Sequence, residues 1–481
     1  MNTPKYILKK YFGFDSFRGK QETIINRILA DKKHTLVLMP TGGGKSLCYQ
    51  VPALCLEGGT IVMSPLIALM QDQVEALKAK GIPAAYINST VSKIEKEKRL
   101  SDFVNGKIKL LYVTPERFRK TEFVNEIKKV KIGLLAIDEA HCVSEWGHDF
   151  RPDYSRIGEF RKLLGNPLTI ALTATATPDV QIDIVRKLHL EPDEIKTFHQ
   201  GIQRPNLRLE AQEAYDIDEK MDQVINALHK FEGFGIIYFS LISTLEKFSE
   251  KIGDKSFKHG VYHGKLPNKI RKQIQRKFIS GKEKLMLATN AFGMGIDKAD
   301  IRFIIHAEVP SSIESYYQEI GRAGRDGKDS LCLLIYNQDD LYTQMEFIKW
   351  SNPDSEFYYR LYELLKNRTT EANSMKNEYL REQLSYKNRN DFRLETALGM
   401  LDRYGVTEGS IEYGDLKIIK KLPEQLEDEE LLQEKLTSDN KKLLSVVQYF
   451  RTEKCRRVNI SEYFGFHDEE ACGNCDICNL D

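Results

Sequence analysis

Two series of short apolar runs limit this 481-residue chain to a small set of folds. The runs lie at residues 35–39, 60–64, 109–113, 134–137 and 168–172, and then at 235–239, 259–262, 285–288, 302–306 and 331–336. Continuous apolar runs of this length, alternating with amphipathic stretches, are typical of buried strands in parallel sheets. The pattern predicts an α/β chain with two parallel-sheet lobes, joined at the Gly- and Pro-containing segment 201–206.

The pattern changes beyond residue 340, where Glu, Lys, Leu and Tyr dominate. Three helices are predicted at 356–366, 377–384 and 390–404, followed by a small hairpin at 411–422. Three helices followed by a hairpin suggest a winged-helix unit. The acidic run 424–434 is most simply a solvated helix face or a spacer.

Composition excludes some classes of protein and leaves others open. Mean hydropathy is −0.43 and no run of 18 apolar residues occurs, which argues against a membrane span. The amino-terminal residues lack the apolar core of a secretory signal, so we expect a cytoplasmic protein, associated with the nucleoid if the source is bacterial. The net charge of +1, taken alone, argues against a nucleic-acid binder.

The charge is unevenly distributed along the chain. Residues 1–200 hold 30 basic and 23 acidic side chains, residues 201–340 hold 21 and 20, and residues 341–481 hold 20 and 27. The small total therefore averages a basic first part and an acidic tail. Ordinary scatter over long segments is the alternative explanation.

A glycine-rich loop with the sequence MPTGGGKS follows the first apolar run at residues 39–46. Glycines let backbone N–H groups wrap around phosphates, Lys45 would reach the β- and γ-phosphates, and the Ser46 hydroxyl would ligate Mg²⁺. The strict pattern has Gly where this chain has Met39, and a plain surface loop is the alternative. The strand–loop–helix context favours a phosphate site.

Two adjacent carboxylates end the apolar run at 134–137, in the sequence LLAIDEAH. Asp138 would hold Mg²⁺ through water and Glu139 would polarise the attacking water in phosphoryl transfer. The alternative is that one of these acids caps a helix. Together with the glycine-rich loop, the pair predicts a nucleoside triphosphatase.

Further motifs make the chain resemble a superfamily 2 helicase, and within that superfamily the RecQ family of DNA helicases. The motifs are TAT, QEIGRAGRDG, FGFDSFRGKQ, LCYQVPAL, HCVSEWGHDFRPDY, AFGMGIDKADIRF and CGNCDIC. The match covers residues 10–340 almost continuously and then 441–478. The resemblance implies two RecA-like P-loop lobes, and then a mainly helical C-terminal region with a zinc-binding module.

The resemblance also implies roles for individual residues of an ATP site. Phe14 would stack on adenine, Gln21 would hydrogen-bond its edge, and Arg18 would support the pocket. The phosphates and Mg²⁺ would be bound by Thr41, Gly42, Gly43, Gly44, Lys45, Ser46 and Asp138. The catalytic set would be Lys45, Asp138, Glu139, His141, Gln318, Arg322 and Arg325, with Arg325 as the arginine finger and Arg322 supporting it.

In the resembled family an aromatic-rich loop couples strand binding to hydrolysis, and here it would carry Trp146, His148, Phe150 and Arg151. The alternative is that one of the aromatic residues of this loop belongs to the hydrophobic core. This chain departs from the family at 17–21, where FRGKQ replaces FRPGQ, and at 261–266. It departs again at 235–243, where GIIYFSLIS replaces a strand ending in Asn-Ser-Arg, so that a basic contact to DNA is missing.

Four of the eight cysteines, Cys455, Cys472, Cys475 and Cys478, have the spacing C-x16-C-x2-C-x2-C. Four thiolates suit tetrahedral Zn²⁺. Disulfides are one alternative, but a helicase motor belongs in a reducing compartment. An iron–sulfur cluster is another, but the segment resembles the RecQ zinc module. The remaining cysteines, Cys48, Cys55, Cys142 and Cys332, are expected to be buried thiols.

The predicted organisation is lobe 1 at 1–204, lobe 2 at 205–342, a helical insert at 343–440 and a zinc module at 441–481. Only three residues follow Cys478, so we expect the family's usual downstream winged-helix and HRDC domains to be absent. Residues 356–422 hold 12 basic and 11 acidic side chains, so charge does not support a DNA role for that segment.

The predicted function is 3′→5′ translocation on single-stranded DNA and unwinding of duplex or branched DNA in recombination and repair, driven by ATP. Polarity follows from the resemblance alone. The alternatives are an RNA-stimulated ATPase without unwinding activity and a DNA-binding scaffold that uses ATP as a switch. We expect a monomer, with single-strand-binding or recombination proteins as partners.

Overall fold

The computed structural model describes residues 3–144, 152–201, 203–255, 257–293, 296, 298–385, 391–466 and 470–479. Within these ranges no helix is both long and apolar enough to cross a membrane. Two parallel sheets and a helical region follow one another along the chain, and the predicted fold class is confirmed.

The first sheet has seven parallel strands in the order β3-β4-β2-β5-β6-β1-β7. They are β1 (His34–Leu38), β2 (Gly59–Met63), β3 (Ala84–Ile87), β4 (Leu110–Val113), β5 (Ile132–Ile137), β6 (Thr169–Thr173) and β7 (Ile195–His199). Its helices are α1 (Pro4–Ile7), α2 (Gln21–Asn26), α3 (Leu47–Cys55), α4 (Ile67–Ala79), α5 (Lys93–Val104), α6 (Thr121–Ile127), α7 (Pro152–Ser155), α8 (Ile157–Leu163) and α9 (Pro178–Lys187). Two π-helical turns (Leu8–Phe12, Arg27–Asp31) and two 3₁₀ turns (Pro115–Arg119, Ala140–Val143) complete this lobe.

The second sheet has six parallel strands in the order β10-β11-β9-β12-β13-β8. They are β8 (Leu207–Glu213), β9 (Phe234–Phe239), β10 (His259–Tyr262), β11 (Leu285–Thr289), β12 (Ile301–His306) and β13 (Ser330–Tyr336). Its helices are α10 (Ile217–Lys230), α11 (Ile242–Asp254), α12 (Asn268–Ile279) and α13 (Ile313–Ile320). Both sheets are buried on both faces, as parallel sheets require.

The C-terminal region is mainly helical, with a two-stranded antiparallel ribbon. It contains α14 (Gln338–Ser351), α15 (Ser355–Asn367), α16 (Thr369–Ser385), α17 (Arg393–Arg403), β14 (Thr407–Glu408), β15 (Lys417–Ile418), α18 (Glu424–Glu427), α19 (Glu429–Arg451) and α20 (Arg456–Tyr463). Asp354 and Asp428 accept backbone N–H groups at the starts of α15 and α19, which fixes where these helices begin.

The elements from α15 to α18 share a hydrophobic core of their own, which includes Phe357, Leu361, Leu394 and Leu401. The three helices predicted here are present, although α16 starts earlier than predicted and is kinked at Lys376. The ribbon is shorter than the predicted hairpin, and its first strand lies before the predicted range.

Candidate active site

The phosphate loop lies where β1 ends and α3 begins. Gly42 and Gly44 have φ values of +81° and +79°, a conformation that side chains with a Cβ rarely adopt. Lys45 Nζ donates to the Met39 carbonyl oxygen at 3.2 Å, so the lysine folds back over the loop. Gln73 Nε2 in α4 donates to Ser46 Oγ at 3.0 Å and orients that hydroxyl. The loop therefore has the glycine conformations that let backbone N–H groups wrap around a phosphate.

The acidic pair follows β5, at the same edge of the sheet as the phosphate loop because the strands are parallel. Glu139 has a φ of +49°, a left-handed conformation that is uncommon for a residue with a side chain. Burial and the adjacent Glu139 raise the pKa of Asp138 to about 7, against the opposing effect of Lys45. A buried carboxyl with this little counter-charge fits a site for a divalent cation.

His141 connects the acidic pair to the TAT motif at the end of β6. Its Nδ1 shares a hydrogen bond with Thr173 Oγ1 at 2.9 Å and lies 3.4 Å from Glu139 Oε2. Thr173 Oγ1 also accepts the Thr175 N–H at 3.1 Å. Since β6 lies between β5 and β1 in the sheet, the TAT motif contacts both halves of the phosphate site.

Lobe 2 places Arg325 against this site, with Arg322 nearby in the sequence. A Cβ on Gly42 would lie 3.3 Å from Arg325 Cγ, so Arg325 lies directly beside the phosphate loop. Arg325 donates to the Ile296 carbonyl oxygen at 3.1 Å. Arg322 is buried and donates to the Gly293 carbonyl oxygen. Gln318 is half-buried on α13, one turn before these arginines.

The residues expected to bind adenine also lie beside the phosphate loop. Gln21 is buried, accepts the Arg18 N–H at 2.9 Å, and donates to the carbonyl oxygens of Gly43 and Gly44, each at 3.2 Å. The Arg18 guanidinium lies 5.8 Å from the ring centre of Phe14, which is 45% exposed. An exposed ring next to a guanidinium is a surface on which a planar base can stack.

Trp146, His148, Phe150 and Arg151 lie outside the described residues. The residues that flank them are buried, including Ser144 on one side and Tyr154 on the other.

Sequence reasoning missed Arg204, which joins the two lobes. Its guanidinium donates to the Thr41 carbonyl oxygen at 3.4 Å in the phosphate loop, and to the carbonyl oxygens of Gly321, Ala323 and Gly324 at 2.7–3.3 Å. The only signal was an arginine within the segment predicted to join the lobes. That pattern contains no information about what the side chain contacts.

The four C-terminal cysteines form a compact cluster, with Sγ atoms all within 4.8 Å of one another. Tetrahedral Zn²⁺ with bonds of about 2.3 Å needs sulfurs about 3.8 Å apart, so the cluster fits that ion. Burial opposes ionisation of Cys455, but the N–H groups of Val458 and Cys472 outweigh it and lower its pKa to about 7. Burial raises the pKa of Cys472 and of Cys478, so Cys455 ionises more readily than these two thiols, and a bound cation would favour the thiolate form of its ligands.

The cysteine module packs against the edge of lobe 2. The Asp476 N–H donates to the Leu209 carbonyl oxygen at 3.1 Å, and Asp476 Oδ2 accepts the Ala211 N–H at 2.9 Å, so the module extends the sheet at β8. Arg456 pairs with Asp476 at 2.6 Å. Its helices share a core with α13, where Tyr316 and Tyr449 meet at a ring-centre distance of 5.3 Å.

Comparison with known proteins agrees with this arrangement. Residues 18–183 match the DEAD/DEAH box helicase family, 219–327 match the helicase conserved C-terminal domain, and 413–479 match the RecQ zinc-binding family. The solved structure of Dbp5 of S. cerevisiae bound to RNA and ADP BeF3 has the same fold, with a TM-score of 0.56 at 17% identity over 71% of this chain and 90% of that one.

Two relatives from Bacillus subtilis (strain 168) are much closer in sequence. ATP-dependent DNA helicase RecQ is 44% identical over 73% of this chain and 59% of its own length. Probable ATP-dependent DNA helicase RecS is 42% identical over 73% of this chain and 70% of its own length. With both helicase domains and the zinc-binding module matched in order, the chain belongs to the RecQ family of ATP-dependent DNA helicases.

Proposed function

We propose that this chain is an ATP-dependent DNA helicase that translocates 3′→5′ on single-stranded DNA and unwinds duplex or branched DNA during recombination and repair. The observation that carries the proposal is the meeting of three groups in one cleft: the phosphate loop, the acidic pair and the arginines of lobe 2. A nucleotide bound there would contact both lobes, so its hydrolysis would change how the lobes pack.

Different residues of the cleft would carry out different parts of ATP hydrolysis. Lys45 and the N–H groups of the loop would bind the phosphates, and Glu139 would orient the attacking water. Arg325 would stabilise the charge that develops on the phosphoryl oxygens, with Arg322 and Gln318 supporting it. Ser46 and Asp138 would hold Mg²⁺, which when bound neutralises the β- and γ-phosphate oxygens.

The proposal also assigns the adenine-binding residues, the zinc ligands and the structural units. Phe14, Arg18 and Gln21 would recognise adenine, and Gln21 would have to exchange a present hydrogen bond for one to the base. Cys455, Cys472, Cys475 and Cys478 would bind Zn²⁺. In this proposal the four units span 1–204, 205–342, 343–440 and 441–481, and the third would contain a winged-helix fold.

A strand-displacement assay with 3′-tailed and 5′-tailed duplexes tests both motor activity and polarity. We expect ATP-dependent unwinding of the 3′-tailed duplex only. Lys45→Ala should abolish it, because the β- and γ-phosphates lose their lysine. Lys33→Ala, which removes an exposed lysine of the same lobe, should unwind at the wild-type rate.

Three results would contradict the proposal. Unwinding only from a 5′ tail would reverse the polarity. ATP hydrolysis stimulated equally by RNA, without strand displacement, would favour an RNA-stimulated ATPase. Nucleotide-dependent DNA binding without turnover would favour an ATP-switched scaffold.

A further inference from the structure

Two buried polar side chains lie side by side near the carboxyl ends of adjacent strands in lobe 2. Strand β9 pairs with β11 on one side and with β12 on the other, and the register places Tyr238 of β9 beside His306 of β12. Residues in register on parallel strands point to the same face of the sheet. Tyr238 is 3% exposed and His306 is 1% exposed, so neither is a surface contact.

The hydroxyl of Tyr238 connects Arg322 to the loop that follows β11. It donates to the Phe292 carbonyl oxygen at 2.9 Å and accepts a hydrogen bond from the Arg322 side chain. Burial raises the pKa of this hydroxyl, against the opposing effect of Arg322, so the group keeps the proton that the carbonyl oxygen accepts. Because one oxygen atom makes both bonds, its loss would affect the arginine and the loop together.

The loop that follows β11 also binds both lobe-2 arginines through its carbonyl oxygens. Arg322 donates to the Gly293 carbonyl oxygen, and Arg325 Nη1 donates to the Ile296 carbonyl oxygen at 3.1 Å. A Cβ on Gly293 would lie 2.8 Å from Arg322 Nη2, so the guanidinium approaches the backbone closely there. Arg325 is also the side chain that lies beside Gly42 of the phosphate loop. The position of the loop after β11 therefore helps to set where Arg325 lies relative to the phosphate loop.

A hydrogen-bonded pair orients the ring of Tyr238. The His306 ring stacks on it, with ring centres 5.4 Å apart and an angle of 25° between the planes. His306 Nε2 lies 2.8 Å from Oε2 of buried Glu319 on α13, and the Glu319 carbonyl oxygen accepts the Arg322 N–H at 3.1 Å. Tyr316, one turn earlier on α13, contacts the same imidazole at a ring-centre distance of 5.0 Å. The tyrosine is thus held by groups on the helix that leads into Arg322.

We infer that Tyr238 is a positioning residue for ATP hydrolysis, whose hydroxyl holds Arg322 and the loop after β11 so that the lobe-2 arginines are correctly placed for phosphoryl transfer. The inference rests on the proposed function, since it assumes that these arginines act on the transferred phosphoryl group. Charge on the phosphoryl oxygens changes during transfer, so the placement of the arginines matters more in the transition state than in bound ATP.

The first test is steady-state ATP hydrolysis by the full chain with saturating oligo(dT). Tyr238→Phe removes the hydroxyl and keeps the stacked ring. We expect kcat to fall about tenfold while KM for ATP stays within about twofold of wild type, because the lost interaction acts in the transition state. A fall in kcat that is matched by a rise in KM would contradict the inference.

Tyr336→Phe is the matched control for this variant. It removes a hydroxyl from another buried ring of lobe 2, which stacks on Phe450 at a ring-centre distance of 4.2 Å. This variant should hydrolyse ATP with wild-type kcat and KM. Thermal unfolding of both variants checks that the fold is retained, and an equal loss of kcat in Tyr336→Phe would show that any buried hydroxyl of the lobe has this effect.

A second test separates positioning of the arginines from binding of the nucleotide. With Mg²⁺ present, fluorescent mant-ADP reports nucleotide binding, and mant-ADP with aluminium fluoride imitates the phosphoryl group in transfer. Tyr238→Phe should bind mant-ADP with wild-type affinity and bind the aluminium fluoride complex about tenfold more weakly. Equal weakening of both ligands would overturn the inference, because the defect would then lie in nucleotide binding.

Arg325→Ala separates the inference from the proposed function. If Arg325→Ala loses hydrolysis while Tyr238→Phe keeps wild-type kcat, the positioning role is wrong and the proposed function stands. If Arg325→Ala hydrolyses ATP at the wild-type rate, the arginine assignment in the proposed function is wrong and the inference fails with it.

Discussion

At the scale of single residues, His141 joins two sequence motifs through one hydrogen bond to Thr173. A neutral hydrogen bond contributes ~1 kcal/mol, which corresponds to about a fivefold change in rate. We expect His141→Ala to reduce DNA-stimulated ATP hydrolysis by about this factor, because Glu139 loses the neighbour that orients it. Steady-state hydrolysis with saturating oligo(dT) measures the effect.

Thr173 provides the matched control for this prediction. Thr173→Ser keeps the hydroxyl and should hydrolyse ATP at close to the wild-type rate, whereas Thr173→Val should lose at least as much as His141→Ala. Wild-type hydrolysis in Thr173→Val would contradict the prediction, because it would show that the hydroxyl and its hydrogen bond to His141 do not matter.

His34 makes the stability of lobe 1 depend on pH. Burial and the nearby Arg161 lower the pKa of His34 to about 4, and its Nδ1 accepts the Thr169 N–H at 3.0 Å as a neutral ring. The unfolded chain has a histidine pKa of about 6.5. Between pH 6.5 and 4 the unfolded state therefore binds more protons, and the free energy of unfolding falls as the pH falls.

We expect this contribution to be complete above pH 6.5 and to decrease by ~2 kcal/mol by pH 4, after allowance for the partial exposure of the ring. The measurement is the thermal midpoint of wild type against His34→Asn from pH 4 to pH 7. The difference between the two should change over this interval, and a constant difference would contradict the prediction.

At the scale of elements, Arg119 attaches α17 to lobe 1 by donating to the carbonyl oxygens of Asp402 and Arg403. Charge-assisted hydrogen bonds contribute ~1.5–3 kcal/mol each. Arg119→Ala should therefore accelerate amide exchange in α17 at least tenfold, measured by hydrogen–deuterium exchange mass spectrometry. Arg360→Ala removes an arginine whose hydrogen bond, within the described part of the chain, is to the Gln383 carbonyl oxygen of the same insert, and this variant should leave α17 protected. Unchanged exchange in Arg119→Ala would show that α17 is held by other contacts.

At the scale of the whole molecule, the cysteine module supports α13, the helix that precedes the lobe-2 arginines. Module and α13 share one core, so loss of Zn²⁺ should loosen α13 as well. We expect Cys475→Ala to lower the thermal midpoint by about 5–10 °C and to reduce ATP hydrolysis. Cys55→Ala, in α3 and outside the cluster, is the control. Full zinc content in Cys475→Ala, measured by mass spectrometry, would contradict the assignment.

The strands that sequence analysis missed are all at sheet edges. Each of the ten predicted apolar runs overlaps a strand, but β3, β7 and β8 were not predicted. β3 and β7 are the two edges of the first sheet, and β8 is an edge of the second. In β7 and β8 exposed and buried residues are mixed, so neither forms a continuous apolar run. β3 has four residues and two of them are alanines, so its apolar signal is weak.

The sequence by itself determined the two parallel sheets and the loops at their strand ends, because hydrophobic periodicity and glycine-rich motifs act over a few residues. The cysteine spacing likewise predicted a cluster that the fold brings together. Only the tertiary structure decided which distant groups meet: Arg119 contacts Asp402 across 283 residues, and Arg204 contacts Thr41 across 163. Such contacts depend on how whole units dock, and a guanidinium bonding to backbone carbonyls leaves no pattern in the partner's sequence.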